Sequence, residues 1–296
     1  MIGEFQKTLA AEARISGVGV HSGLPANLTL KPSPAGSGIR FVRTDVAGPN
    51  REIAACIECV SDTRLATVIR NEAGVSVSTV EHLMAAFAGL GVDNAMVEID
   101  GPETPVMDGS AADFVTAIDA AGLETQSEPR RYIEILEPIS HVEPNRHVAL
   151  LPASRFEMAV EIIFEAPAIG RQSIELAVEP QSFRTELAEA RTFGFLAEVE
   201  QLRAAGLGRG ASLDNTVVVE HDRILNPAGL RRPDEFVRHK ALDALGDLAL
   251  LGAPLRGRYQ ASCAGHALNN LLARSLLARP SAWRYVMARE QTPHST

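Results

Sequence analysis

The stretch Pro233-Asp-Glu-Phe-Val-Arg-His-Lys-Ala-Leu-Asp-Ala-Leu-Gly-Asp-Leu-Ala-Leu-Leu251 decides how the rest of the chain is read. On a helix turning about 100° per residue, His239, Asp243 and Asp247 fall within roughly 80° of one another. Most of the remaining circumference is Val237, Ala241, Leu242, Ala244, Leu245, Leu248 and Ala249. A helix this apolar is buried, and buried carboxylates need partners. An imidazole and a carboxylate one turn apart on one face can share a metal ion. The plainer alternative is a solvated His/Asp pair on a helix surface.

A second informative stretch is Ser78-Thr-Val-Glu-His-Leu-Met-Ala-Ala-Phe-Ala-Gly-Leu90. Val80, Leu83, Met84 and Phe87 make the core face of an amphipathic helix. Glu81 has an ordinary explanation, because Ser78-x-x-Glu81 reads as a capping box. His82 shares its side of the helix with Ala85, Ala86 and Gly89, which are small and apolar. Something therefore packs closely there too, and His82 is expected in an interior between two halves of the molecule. The third stretch, Ser262-Cys-Ala-Gly-His-Ala-Leu-Asn-Asn-Leu271, puts His266 at a strand-to-helix junction. The ordinary reading there is a helix-start histidine with asparagines facing solvent. Taken together, His82, His239 and Asp243 offer three ligands. Glu81 stands beside one of them, and His266 is left with Asp247. Three ligands and an open position characterise a catalytic zinc rather than a structural one.

The order of elements gives the fold class. Short strands are expected at Phe5–Leu9, 13–20, 26–31, 39–42, 53–60 and 66–70, broken by Gly and Pro turns. A helix over 79–90, a strand at Ala95–Ile99 and a helix over 111–121 follow. Residues 122–131 are polar and carry a proline, so they read as a linker. The second half repeats the plan: strands at 132–136, 147–151, 156–164 and 173–178, the helix already described, a strand at 257–263 and a helix over 267–277. The expectation is an α+β chain of two similar domains, 1–126 and 127–296. Each is a mostly antiparallel or mixed sheet covered by two helices, with the helices of the two domains facing each other. Residues 190–219 form an extra, partly apolar piece, read equally well as an elaborated connection or as a wall for a lipophilic ligand.

Composition narrows the function. At 296 residues the chain suffices for one large or two medium domains. Its 46% hydrophobic and 22% charged content is that of a globular protein, with disorder suggested only over 291–296. A net charge of −9 argues against a nucleic-acid partner bound by phosphate neutralisation. No apolar run is long enough for a transmembrane segment, and no signal peptide opens the chain, so a cytoplasmic protein is expected. Cys56-Ile-Glu-Cys59 has no second pair to close a structural zinc site and reads as two ordinary strand cysteines.

At these residues the chain resembles the UDP-3-O-acyl-N-acetylglucosamine deacetylases of lipid A biosynthesis. The matching segments are Gly17-Val-Gly-Val-His-Ser-Gly23, Ser78-Thr-Val-Glu-His-Leu83, Gly89-Leu-Gly-Val-Asp-Asn94 and Pro105-Val-Met-Asp-Gly-Ser-Ala-Ala112. Ala190-Arg-Thr-Phe-Gly-Phe195, the run from Asp234 to Leu248 and Gly265-His-Ala-Leu-Asn-Asn270 continue the series. The resemblance implies a zinc-dependent amidase with the metal between its two domains, on His82, His239 and Asp243. Such a ligand set also suits ferrous iron. It further implies Glu81 as general base and Thr192 as a donor to the oxyanion. His266 is implied as a protonated general acid held by Asp247, and Lys240 as positive charge near the diphosphate or the reacting centre.

The extra piece containing Phe193, Val199, Gly208 and Ala211 matches the part of the family that encloses the acyl chain. The nucleotide is expected near Phe164 and Arg146. Here the chain reads Phe164-Glu-Ala-Pro167 where many members read Phe-x-His-Pro. His21 and Asp108 match family motifs and are read as support near the site. Two further readings keep less of this: an amidase on another acylated nucleotide sugar, and a non-catalytic regulator in which Glu81 only caps a helix. A monomer is expected, since the two halves already cover each other's helices.

Overall fold

The computed structural model describes residues 5–288, so the suggested disorder at 291–296 lies outside the described residues. Its helices in chain order are α1 (Glu81–Leu90), α2 (Ala112–Ala121), the single turn α3 (Pro180–Ser182), α4 (Val199–Ala204), α5 (Glu235–Ala249) and α6 (His266–Leu277). Between α1 and α2 runs the strand Ala95–Ile99, whose Ala95, Val97 and Ile99 are fully buried. Alternation of this kind belongs to a strand with one face on a core. This strand pairs antiparallel with Pro25–Pro32 and parallel with Ile39–Arg43, at the centre of a five-stranded sheet.

The second half repeats this local topology. Between α5 and α6 runs Leu255–Ser262, antiparallel to Arg146–Leu151 and parallel to Phe156–Ile163, within a seven-stranded sheet. The parallel neighbour is reached through a helix in each half, as a parallel connection requires. In the second half, α5 packs on Phe156–Ile163 and Arg171–Ala177, and α6 on Ile139–Glu143 and Arg146–Leu151. The expected α+β architecture of two similar halves is therefore what the chain adopts. The pairing of α1 with α5 joins them.

That pairing is close because of a glycine on α5, and a second glycine on α1 lets the segment before α5 pack closely as well. A methyl carbon placed on Gly246 of α5 would sit 2.0 Å from the carbonyl oxygen of Glu81 on α1. One on Gly89 would meet the ring of Phe183 at 2.2 Å. Every residue of α1 except Ala88 is buried, so the helix is covered on both sides. The extra piece forms its own small sheet, Phe193–Phe195 parallel to Val217–Glu220 with α4 between them, closed by Arg223–Ile224. It also reaches the first half: the amides of Arg209 and Gly210 donate to the carbonyls of His21 and Val20 at 3.2 and 3.1 Å.

Three local expectations are corrected. Residues 122–131 are not a loose linker, because Leu123–Pro129 is a strand paired antiparallel with Phe5–Leu9. Its side chains are mostly exposed, so backbone pairing rather than a buried face makes it a strand. The C-x2-C pair does not lie on a strand. Ile57–Cys59 is a turn of 3-10 helix held by the Cys59 amide donating to the Cys56 carbonyl at 3.1 Å, with only Ile57 buried. Finally, Ser78 and Glu81 form no capping box. α1 begins at Glu81 after Val80, and no side chain caps it.

Gly246→Ala tests the close crossing, since the added methyl group meets backbone that cannot rotate away. Overpacking of this kind destabilises by about 1–3 kcal/mol. The expected result is a lower urea midpoint with an unchanged m-value, whereas Gly194→Ala, which adds its methyl group into open space, leaves the unfolding free energy within about 0.5 kcal/mol of the parent. An unshifted midpoint for Gly246→Ala contradicts the packing described.

Candidate metal and catalytic centre

The start of α1 is set by a strained turn. Thr79 has φ 60°, the left-handed region that a β-branched residue rarely enters. It is held there by its hydroxyl donating to Glu103 Oε1 at 3.0 Å and by the Thr104 hydroxyl donating to its carbonyl. Glu103 also accepts from the amides of His21 and Ser22, at 2.9 and 2.7 Å, and so fixes the 19–23 loop against the same turn. The turn delivers Glu81 and His82 as the first two residues of α1, facing α5.

Across the seam, α5 presents His239, Asp243 and Asp247 on one face, all buried. Asp243 Oδ1 lies 3.3 Å from His239 Nε2 and 3.5 Å from His82 Nε2. One ligand atom from each of the three residues lies within 4.8 Å of the others. Asp243 Oδ1 is fully buried and accepts no well-formed hydrogen bond, the two imidazoles approaching it without donating. An unsatisfied buried carboxylate oxygen is costly, and a cation between these atoms would satisfy it. His239 Nδ1 lies 3.0 Å from the carbonyl of Ala190, so it must carry the proton and leave the Nε2 lone pair free to bind. Burial outweighs the pull of Asp243 and takes His239 down to about 4, so the ring is neutral at pH 7. Burial alone would raise Asp243, but His239 and Lys240 prevail and hold it well below the usual carboxylate range. Lys240 Nζ donates to Asp243 Oδ2 at 2.8 Å. The donor set fits a divalent metal.

Beside it stands a second cluster. Glu81 is raised above the usual carboxylate range by burial, against the opposing charges of His266 and His82. Its Oε1 lies 3.9 Å from His266 Nε2, and its Oε2 accepts from the Thr67 amide at 3.0 Å. His266 opens α6, with Nδ1 2.9 Å from Asp247 Oδ2. Burial would lower His266, but the charge and hydrogen bond of Asp247, helped by Glu81, raise it to about 10. Asp247 is fully engaged: Thr67 Oγ1 donates to Oδ1 at 2.6 Å and Asn269 Nδ2 to Oδ2 at 2.8 Å. The Tyr259 hydroxyl donates in turn to Asn269 Oδ1 at 2.6 Å.

Both clusters open on one cavity of about 300 Å³. Its lining includes Glu81, His82, His239, Lys240, Asp243 and His266, together with Thr192, Phe193 and Arg146. Thr192 is fixed from both sides, its amide donating to Gly109 at 2.7 Å and its carbonyl accepting from Val217 at 2.8 Å. Phe193 stacks edge-on against Phe236 at 4.9 Å, with Lys240 Nζ 5.5 Å from its ring centre. Phe164 lies behind Phe193, at 5.7 Å, and does not line the cavity. Val199, Gly208 and Ala211 also lie off its lining, in the extra piece. His21 is half-buried with its Nδ1 inside, and burial lowers its imidazole against the pull of Glu103. Asp108 pairs with Arg231 at 2.7 Å and is absent from the lining.

Three participants were not singled out from the sequence. Thr67 lies in an expected strand with no motif around it, and Tyr259 looks like any core aromatic. Asn269 is only 2% exposed, which corrects the reading of both asparagines as solvent-facing. The available signal was its spacing, one helical turn after His266 on the same face.

With this geometry in view, the relatives of the chain are informative. Residues 6–278 match the family described as UDP-3-O-acyl N-acetylglycosamine deacetylase. The chain is 58% identical to the UDP-3-O-acyl-N-acetylglucosamine deacetylase of Phenylobacterium zucineum over 280 residues, 95% of this chain and 96% of that protein. Its similarity to the enzymes of the same name from Myxococcus xanthus (50% identity, 97% of this chain and 90% of that one) and Acidithiobacillus ferrooxidans (47%, 98% and 96%) is equally extensive. The chain belongs to the UDP-3-O-acyl N-acetylglycosamine deacetylase family, whose members are amide hydrolases.

Proposed function

We propose that this protein hydrolyses the N-acetyl group of UDP-3-O-(3-hydroxyacyl)-N-acetylglucosamine, giving acetate and UDP-3-O-acyl-glucosamine, the committed step of lipid A biosynthesis. The observation that carries the reading is the meeting of His82, His239 and Asp243 with Glu81 and the His266–Asp247 pair on one cavity between the halves, in a chain whose relatives bear that name. We assign zinc to the three ligands, a set that ferrous iron also suits. When bound, the ion polarises the acetamide carbonyl and acidifies a water.

The protein's own groups do the rest. Glu81, raised by burial, removes the proton from the attacking water, a task suited to a base brought toward neutral pH. The Thr192 hydroxyl stabilises the oxyanion. His266, kept charged by Asp247, donates to the departing amine. Lys240 adds positive charge at the cavity wall. Phe193, Val199, Gly208 and Ala211 line the route of the acyl chain, and Phe164 and Arg146 lie toward the nucleotide. Arg146 lining the cavity supports that assignment.

We place the division between the halves at 126/127, with 190–219 as the acyl-passage insert. We read the enzyme as a cytoplasmic monomer. Among the described residues no helix is long and apolar enough to cross a membrane, and α1 and α5 bury their faces against each other.

Glu81→Ala is expected to retain a full equivalent of metal by elemental analysis while kcat falls about 10²–10⁴-fold, the usual contribution of a general base. Near-normal turnover would remove Glu81 from the mechanism. His239→Ala is expected to lose the metal itself, and retention of one tightly bound equivalent would contradict the ligand assignment.

The raised His266 gives a pH prediction. Its charged form is stabilised in the folded state, so this contribution to stability is complete below about 6.5, the ordinary histidine value, and is lost as pH rises through about 10. In Asp247→Asn burial prevails and His266 falls. The alkaline limb of the kcat profile should therefore move to lower pH, and an unmoved limb would contradict the acid role.

A further inference from the structure

Thr67 lies just before the strand Val68–Arg70 and is 2% exposed. It is absent from the cavity lining, so it does not reach a substrate. Yet all three of its polar groups are committed to the seam. Its amide donates to Glu81 Oε2 at 3.0 Å. Its hydroxyl donates to Asp247 Oδ1 at 2.6 Å. Its carbonyl accepts from the Val80 amide at 3.3 Å, immediately before α1. One residue from the first half thus holds two carboxylates on two different helices, and it holds each by one oxygen. The other oxygen of each is the one directed at His266: Glu81 Oε1 toward Nε2 and Asp247 Oδ2 toward Nδ1.

We propose that Thr67 is a positioning residue that fixes the rotation of the Glu81 and Asp247 carboxylates, so that the free oxygen of each is held toward His266. A carboxylate has two equivalent oxygens and rotates readily about its last bond. In a buried site the oxygen that lacks a donor turns toward whichever donor remains. With the Thr67 hydroxyl in place, Asp247 Oδ1 is occupied and Oδ2 is left for His266 and Asn269. Without it, the Asp247 carboxylate is free to rotate out of the plane that aims Oδ2 at the imidazole, and the alignment of the acid with the base across the cavity is lost. The hydroxyl acts on Asp247, and the amide acts on Glu81 and survives any side-chain change. The two functions can therefore be separated. This inference rests on the assignment of His266–Asp247 as the general-acid pair.

The test compares Thr67→Val, which keeps shape and amide but removes the hydroxyl, with Thr67→Ser, which restores it. Thr67→Ala replaces the valine variant if the latter does not fold. Partners that orient a catalytic group typically contribute about 10–100-fold to activity. Thr67→Val is expected to lower kcat by that factor with KM within about threefold and metal content unchanged, and Thr67→Ser to return kcat to within about threefold of the parent. In an Asp247→Asn background the same valine change should lower kcat by less than about twofold, because residues acting as one unit are not additive.

Parental kcat in Thr67→Val, an equal loss in Thr67→Ser, or the full loss repeated on top of Asp247→Asn would each overturn the positioning role. If Asp247→Asn alone turned over at the parental rate, the acid-pair reading beneath it would fall. A slowed Asp247→Asn with a silent Thr67→Val would leave that reading standing and overturn only this one.

Discussion

The structure depends on how closely α1 can approach α5. At Gly246 the second helix has no side chain, and the carbonyl of Glu81 occupies the space a methyl group would need. Backbone contact at that point fixes the register of the two helices. His82 then comes opposite His239 and Asp243, and Glu81 opposite the Asp247 end of the α5 stripe. Both helices are otherwise covered by apolar packing. Three carboxylates, three imidazoles and an ammonium group are held in that seam, where an apolar interior of equal volume would cost less. The cluster is better understood as chemistry installed at a domain junction than as a source of stability.

The seam also separates two histidines by environment. The side chains of His239 and His266 are 2% and 9% exposed, and burial acts on both to remove the proton. His239 gives its Nδ1 proton to a neutral carbonyl and shares its neighbourhood with His82 and Lys240, so burial prevails. His266 has Asp247 directly on Nδ1 and Glu81 beyond Nε2, so the carboxylates prevail. One imidazole is left as a neutral donor of electrons and the other as a stored proton. Paired groups driven apart in this way mark the assignment of roles in an active site.

Much of this was legible in the chain because the relevant residues repeat at helical spacing. The His239, Asp243 and Asp247 stripe follows from the 3.6-residue period, and the small residues opposite the core face of α1 announced a second close neighbour. The duplicated plan was visible in the order of elements. What remained hidden was set by partners distant in sequence. Thr67 acquires its role from α5, 180 residues away. Glu81 looked like a capping residue because the capping pattern is local, whereas its actual donor, the Thr67 amide, arrives from the segment just before a separate strand. The 123–129 strand has no apolar alternation to read, since only its backbone is needed to pair with the first strand. Asn269 looked solvent-facing because nothing near it in the chain shows that Asp247 and Tyr259 converge there.

The most direct test of the central claim is acetate release from UDP-3-O-(3-hydroxyacyl)-N-acetylglucosamine by metal-stripped protein as zinc is returned in measured amounts. A centre made of His82, His239 and Asp243 with Glu81 beside it predicts no release from the stripped protein. Activity should then rise in proportion to zinc and break at one equivalent per chain. Release that is independent of added metal, or no release from folded protein carrying its full equivalent, would contradict the account.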